Sequence, residues 1–418
     1  MPLSVIHIVG AGIAGLAAAV RLAQTGKRVT VHEAANQAGG RCRSYDDAQT
    51  GMHIDNGTHL LLSGNRAALD YVRTIGGEHL LTGPGRAEFP FVDLATNERW
   101  ALRPNEGRVP LWIFDAARRV PGTRAQDYLS ALPLLWSAPG KTISDAMDCN
   151  TLLYKRLWQP VLLAALNTDP KEASARLAAA IMRETLFAGG RACHPLIARE
   201  GLSTAFVDPA LAYLQARGGT IHFGHRLRAL SFEGGRAAAL DFGDDSVKLG
   251  ADAAVILAVP PPVAASLLPD LKRPTEFRAI VNAHFRYDPP RDAPAILGVV
   301  GGLVEWLFAF PQRLSVTISN GDRLVDMPRE ELALAIWRDV CKGAGLPGDL
   351  PLPPWQIVRE RRATFEATPE QNALRPGPVT SCKNLFLAGD WTDTGLPATI
   401  EGSVRSGDRA ADLVLARP

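Results

Sequence analysis

The 418-residue sequence has almost no charge imbalance: 45 Lys and Arg stand against 43 Asp and Glu, a formal net charge of +2. No global field therefore points to nucleic acid as a partner. Cysteine is scarce, with five residues at positions 42, 149, 193, 341 and 382. They form no C-x-x-C pair and no metal-ligand spacing, and their odd number and wide separation argue against a disulfide framework. A reducing, cytoplasmic setting without a bound metal is expected. No uninterrupted apolar run reaches the ~18 residues of a membrane-spanning helix. Val5 to Ala23 imitates the apolar part of a signal peptide, but no basic segment precedes it, and His7 and Arg21 interrupt it. Internal repeats and low-complexity segments are missing. A strand running into G-x-G-x-x-G occurs only once, so a second, nicotinamide-binding domain has no support.

What is present begins at Val5. "VIHIVGAGIAGLAAAVRLAQTGKRVTVHE" reads strand, glycine turn, alanine-rich helix, turn and second strand, with Glu33 at its end. Gly10 permits the tight turn, Gly12 lets a pyrophosphate approach the helix N-terminus, and Gly15 lets helix and strand pack closely. Ile13 and Ala14 supply the first backbone N–H groups of that helix. Glu33, 18 residues beyond Gly15, is placed to accept hydrogen bonds from a ribose. The far end of the chain carries a second glycine-marked segment. "LFLAGDWTDTGLPATIEGSVRSGDRAADLVL" is an apolar strand that stops at Gly389-Asp390, followed by a helix-like run.

After Glu33 and Ala34 comes Gly39-Gly40-Arg41, which resembles the G-G-R of the flavoprotein superfamily containing amine oxidases, carotenoid desaturases and squalene-pathway enzymes. The C-terminal segment resembles that superfamily's second FAD motif. The resemblance implies an α/β fold in which a Rossmann-like FAD-binding domain is interleaved with an α+β substrate-binding domain. It assigns residues 1–75, 200–265 and 358–418 to the first, and 76–199 and 266–357 to the second. It also implies non-covalent FAD. Phosphate-side contacts are expected from Gly39, Gly40, Arg41 and Arg43, and pyrophosphate and ribityl contacts from Gly389 and Asp390. Leu227 is expected beside adenine, and Gly57 and Thr58 along the flavin. Thr399, Ile400, Glu401 and Ser403 are expected where the last helix points its N-terminus at the flavin ring.

Flavin amine oxidases place an aromatic residue two positions before the Glu-Gly of the C-terminal motif. Here Thr399 stands there, and no aromatic residue follows Trp391. An amine cage is therefore not expected. "IDNGTHLLLSGN" (54–65), the Pro160–Thr168 stretch and "GDWTDTGLPATIEGSVRSG" together resemble one branch, the bacterial hydroxysqualene dehydroxylases of hopanoid synthesis. The resemblance implies reductive loss of an allylic hydroxyl from hydroxysqualene to give squalene. An oxidative carotenoid or squalene desaturase, or an amine oxidase-type oxidoreductase, is the alternative on the same scaffold. No motif assigns the electron donor. Asp55 and His59 are the candidate catalytic residues: burial raises a carboxylic acid's pKa and lowers an imidazole's. Asp55 is thus read as proton donor, and His59 as a neutral orienting group. Val109 to Trp136 combines Trp112, Phe114, Tyr128 and Trp136 with Arg118, Arg119 and Arg124, which suits peripheral contact with a membrane surface.

Overall fold

The structure, a computed structural model, describes residues 5–417. Its first sheet has five parallel strands in the order Thr220–His222, Arg28–His32, Val5–Val9, Ala254–Leu257, Leu385–Leu387. Parallel sheets are covered on both faces, which is why Ala254–Leu257 is apolar and buried throughout. Ile6 and Ile8 join the core around the first helix, Ile13–Gln24, whereas Val9 joins the opposite core with Leu240 and Phe242. That second face is roofed by the antiparallel strands Ala229–Glu233, Arg236–Asp241 and Ser246–Lys248.

The C-terminal helix, Ile400–Leu415, lies against the first helix. A Cβ on Gly407 would fall 2.2 Å from the Ala14 carbonyl oxygen, so only glycine allows this approach. The last segment of the chain is thereby locked to the first.

The second sheet has seven strands in the order Trp355–Phe365, Phe277–Phe285, Arg313–Ile318, Trp306–Phe310, Ile296–Val300, Phe89–Asp93, Glu98–Leu102. Its pairings are antiparallel except that between Ile296–Val300 and Phe89–Asp93. Helix Arg329–Ala344 covers one face through Leu332, Ile336, Trp337 and Val340. The domain break expected at 357/358 falls inside the strand Trp355–Phe365, which pairs along its length with Phe277–Phe285. The break therefore belongs beyond Phe365.

The 76–199 piece is less regular than its composition suggests. Leu111–Phe114 and Ala125–Trp136 wind as 3-10 turns, the latter with Pro133 inside, which removes a backbone donor. Tyr154–Trp158 is a π-turn, as is Ser203–Val207 just beyond this piece. Each runs directly into a helix whose second residue is proline, Pro160 or Pro209. A wider turn relieves the clash between the proline ring and the carbonyl four residues earlier. The Asn167-Thr168 pair is a clasp. Asn167 Nδ2 donates to Thr364 Oγ1 at 2.9 Å, and Thr168 Oγ1 accepts from the Ala367 N–H at 2.8 Å.

Candidate active site

At the end of the first strand Gly10 adopts φ +104°, and its N–H donates to the His32 carbonyl at 2.8 Å. A Cβ on Gly10 would lie 2.3 Å from the Ala258 oxygen, and one on Gly15 1.9 Å from the Gly10 oxygen. Both glycines are demanded by the protein's own backbone. Gly12 differs: a Cβ there would meet nothing within 4 Å. Gly12 also begins the helix without any side-chain cap, so the first N–H groups, including those of Ile13 and Ala14, have no partner within the helix. An uncapped N-terminus above open space is a cradle for phosphate.

Glu33 stands beside this cradle. Its carboxylate accepts the Ala11 N–H at 2.7 Å and the Ala35 N–H at 2.8 Å, so it braces the loop around Ala34 and the glycine turn together. Each oxygen keeps a lone pair for a ribose hydroxyl. The Glu33 carbonyl accepts from the His225 N–H at 2.8 Å, which brings the Leu227 stretch alongside, and Leu227 itself is buried. Gly39 donates to the Ala11 carbonyl at 2.8 Å, and a Cβ on Gly40 would come within 3.3 Å of Gly12. The two glycine loops are thus in contact.

Of the two arginines expected on the phosphate side, Arg43 donates to the Gly40 carbonyl at 2.9 Å, and Arg41 reaches across to the C-terminal motif. Its Nη2 donates to Asp390 Oδ1 at 2.7 Å, and its Nη1 to the Ala363 carbonyl. Around Asp390 the backbone is held by groups the sequence reading did not identify. Arg375 donates to the Asp390 carbonyl at 3.1 Å, and burial lowers its pKa to about 10. Ser406 Oγ accepts the Gly389 N–H at 2.9 Å. Thr399 caps the last helix by accepting the Gly402 N–H at 3.0 Å, and Ser403 Oγ returns a bond to the Thr399 carbonyl at 3.0 Å. The N–H groups of Ile400 and Glu401 therefore head an open helix end.

The Glu401 side chain serves a neighbouring helix. It accepts from the N–H groups of Ala67 and Ala68 at 3.1 and 2.8 Å, and from Arg405 at 2.8 Å. A carboxylate at the start of helix Arg66–Ile75 satisfies orphan donors and complements the helix dipole. The Glu401 backbone N–H stays at the open end of the last helix.

The segment 54–60 passes between the two sheets. Asp55 is 1% exposed, and its Oδ1 accepts from Ser44 Oγ at 2.6 Å and from the Leu202 N–H at 2.7 Å. Through Oδ1 it anchors the segment to Ser44 and to the turn at Leu202. His284 Nε2 donates to the Asp55 carbonyl at 3.0 Å, while its Nδ1 faces Ser315 Oγ at 2.9 Å. Because a carbonyl only accepts, the ring carries its proton on Nε2. Burial, with Arg313 nearby, holds its pKa down to about 3.

Asn56 donates to Glu360 at 3.3 Å and its carbonyl accepts from Asn282 at 3.3 Å. A Cβ on Gly57 would lie 2.9 Å from Asn282 Nδ2, so glycine is needed there. The Thr58 carbonyl accepts from Thr317 at 3.3 Å, but Thr58 Oγ1 is buried without a partner. A buried hydroxyl left unpaired costs about 1–3 kcal/mol, so Thr58 Oγ1 is a free donor for a bound group. His59 is half-buried, and its pKa is lowered by burial, partly offset by Asp55 and reinforced by Arg41. It is a neutral imidazole at the same opening.

Asn282 and His284 escaped the sequence reading because they sit in an apolar strand, "AIVNAHFRYD". The available signal was two polar residues two apart, hence on one face of a strand otherwise made for a core. A third unrecognised feature lies beneath the ribose end. His7 Nδ1 faces His32 Nε2 at 3.1 Å, and His32 Nδ1 faces His225 Nδ1 at 2.9 Å. Among the described residues no group of side chains is arranged to hold a metal.

Residues 13–415 match the family described as flavin containing amine oxidoreductase. The chain is 67% identical over 98% of its length and 98% of the partner's to hydroxysqualene dehydroxylase of Rhodopseudomonas palustris. It is 48% identical over 99% of both chains to the enzyme of that name in Zymomonas mobilis. Among solved structures, cyclohexylamine oxidase of Brevibacterium oxydans superposes over the full length of both chains with a TM-score of 0.72 at 18% identity. That last likeness concerns the fold.

Proposed function

The chain belongs to the flavin-containing amine oxidoreductases and, within them, to the hydroxysqualene dehydroxylase family, and from that premise we propose that it converts hydroxysqualene to squalene. FAD is its cofactor. The observation that carries the substrate is the 67% identity across the whole length to the Rhodopseudomonas palustris enzyme. The same proposal makes squalene for hopanoid synthesis the biological product.

When bound and reduced, FAD supplies the hydride that replaces the departing hydroxyl as water leaves with an added proton. The chain's own contributions follow from its geometry. Gly12, the open helix end and Glu33 would hold the pyrophosphate and ribose. Gly389, Asp390 and the end of the last helix would hold the ribityl chain and the flavin's O2 edge, where the helix dipole favours negative charge. Thr58 and the backbone around Gly57 would flank the ring. His59, neutral and half-buried, would orient the allylic hydroxyl by a hydrogen bond, while Asp55 keeps the segment in place.

Peripheral membrane contact is part of this reading, since the substrate is lipid-soluble. Phe114 and Trp136 are 70% and 76% exposed, and Val109, Leu111 and Leu129 are also exposed. Trp112 and Tyr128 are buried against each other, with centroids 5.1 Å apart, so they belong to the core of this segment rather than to its outer face. Among the described residues no helix is long and apolar enough to cross a membrane.

The test is anaerobic. Dithionite-reduced holoenzyme mixed with hydroxysqualene should return oxidised flavin and one equivalent of squalene by mass spectrometry. Flavin reduction by squalene, with no reaction of hydroxysqualene, would instead establish the oxidative desaturase reading. Flotation with liposomes tests the membrane contact: Phe114→Ser with Trp136→Ser should reduce binding at least ~10-fold.

A further inference from the structure

The hairpin of strands Phe89–Asp93 and Glu98–Leu102 closes one edge of the seven-stranded sheet. Between it and the following loop lies a cavity of about 600 Å³, within the size range of small-molecule sites. Its accessible apolar part comes from Pro90, Ala101, Ala117, Pro121 and Pro294, over the buried Phe91, Trp100 and Leu297. Three guanidinium groups, Arg99, Arg103 and Arg119, line the same space, and no acidic residue does.

Two of these charges have no acidic partner. Arg99 donates to the Lys342 and Gly343 carbonyls at 3.2 and 2.9 Å, and Arg119 to the Ile113 carbonyl at 2.8 Å. Arg103 pairs with Glu88 at 2.7 Å, but Glu88 is shared with Arg86. The cavity is therefore cationic on one side and apolar on the other.

The flavin segment does not reach it. Thr58 contacts Thr317 on strand Arg313–Ile318, and four strand spacings of ~4.8 Å separate that strand from Glu98–Leu102, roughly 19 Å in all. An uncharged hydroxysqualene has no group to pair with three arginines. The cavity does adjoin the exposed apolar turn. Arg119 bonds to the Ile113 carbonyl and Arg118 to the Arg103 carbonyl at 2.9 Å. These bonds tie the mouth of the cavity to Leu111 and Phe114, which are 63% and 70% exposed.

We propose that this cavity binds the headgroup of an anionic phospholipid, its phosphate on Arg99, Arg103 and Arg119 and its first acyl carbons on Pro90, Ala101 and Pro294. This rests on the membrane-contact reading and gives it chemistry: the exposed turn enters the bilayer while the cavity selects anionic lipid. Opposite charge together with an apolar body is the complement this lining presents.

The experiment uses monomeric short-chain lipid with the holoenzyme, measured by titration calorimetry. Dihexanoylphosphatidylglycerol should bind saturably at one site, and dihexanoylphosphatidylcholine at least about tenfold more weakly. Arg103→Gln with Arg119→Gln should weaken phosphatidylglycerol binding about thirtyfold, on the scale of two arginines near an anionic surface. Arg124→Gln, in the same segment but outside the lining, should leave it within about threefold. Circular dichroism melts confirm that the variants are folded. Equal losses in the cavity and Arg124 variants would mean a diffuse charged surface and overturn the site. Inorganic phosphate binding as tightly as the lipid would overturn the lipid assignment. Liposome flotation without saturable short-chain binding would overturn the headgroup site and leave membrane contact standing. Failure to bind either liposomes or short-chain lipid would overturn both.

Discussion

Arg41 Nη2 donates to Asp390 Oδ1 at 2.7 Å, across 349 positions of sequence. One residue belongs to the glycine-rich loop after the second strand, the other to the Gly-Asp pair of the last strand. Their bond joins the two cofactor-binding segments directly, so neither is shaped independently of the other. Asp390 is 7% exposed as a side chain, whereas Arg41 is 43% exposed. The carboxylate is the member whose loss leaves the larger fault.

Asp390→Asn should therefore lower FAD occupancy at least ~10-fold, by weakening a charge-assisted bond to Arg41 at the point where the two motifs meet. Arg41→Lys should have a smaller effect, since an ammonium keeps the charge but loses the fork. Flavin absorbance after gel filtration measures both. Full occupancy in Asp390→Asn would show that the pair is incidental to the cofactor.

Glycine substitutions should separate folding from binding. Gly12→Val places its side chain in open space, so the protein should fold and elute without flavin. Gly15→Val drives a Cβ to 1.9 Å from the Gly10 oxygen and should yield little folded protein, a backbone clash being among the severest single changes. Comparable melting curves for the two variants would contradict this division.

Asp55 and His59 should now behave differently. Asp55→Asn leaves Ser44 and the Leu202 N–H without their charged acceptor and should cost about 1–3 kcal/mol of stability, with weakened FAD binding. His59→Ala should keep both the fold and the flavin but slow reoxidation of reduced FAD by hydroxysqualene at least ~100-fold. Denaturant titration and stopped-flow absorbance give the two readouts. A stable, flavin-replete but slow Asp55→Asn would assign the proton-donor role to Asp55.

Acid should destabilise the fold through its buried imidazoles. Burial lowers His7 to about 4 and His32 to about 3, each further lowered by neighbouring histidines, and His284 to about 3. In the unfolded chain these groups take a proton near 6.5. Between pH 6.5 and about 4 the unfolded chain thus binds more protons than the fold. Stability is full above 6.5 and falls as pH falls, by up to ~1.4 kcal/mol per pH unit for each histidine. Melting temperatures at neutral pH and about pH 5 would show it. A Tm unchanged over that interval would mean these rings are hydrated or already protonated.

The glycine turn was legible because its geometry is local. Gly10, Gly12, Gly15 and Glu33 lie within one strand-helix-strand unit, where spacing alone sets position. The Glu401 carboxylate was not legible for the opposite reason. It turns to Ala67 and Ala68, and only packing decides which way a helical side chain points. Asn282, His284 and Arg375 could not be placed at all, since each acts through residues far away in sequence.

By itself, the sequence determined a strand-helix-strand unit with a phosphate-type glycine turn at the start of the chain and a strand-helix unit at its end; the flavin came from the likeness of these segments to a known superfamily. Local periodicity, turn residues and the ~3.6-residue repeat of a helix are properties of neighbouring residues, and a linear text carries them. Tertiary structure alone decided that Arg41 meets Asp390, that Asp55 Oδ1 holds Ser44 and Leu202, that the Glu401 carboxylate caps a neighbouring helix, and that three arginines line one cavity. These outcomes depend on which distant surfaces come into contact. A carboxylate or guanidinium then takes whichever donors or acceptors lie within hydrogen-bond reach, because burial makes leaving it unpaired too costly.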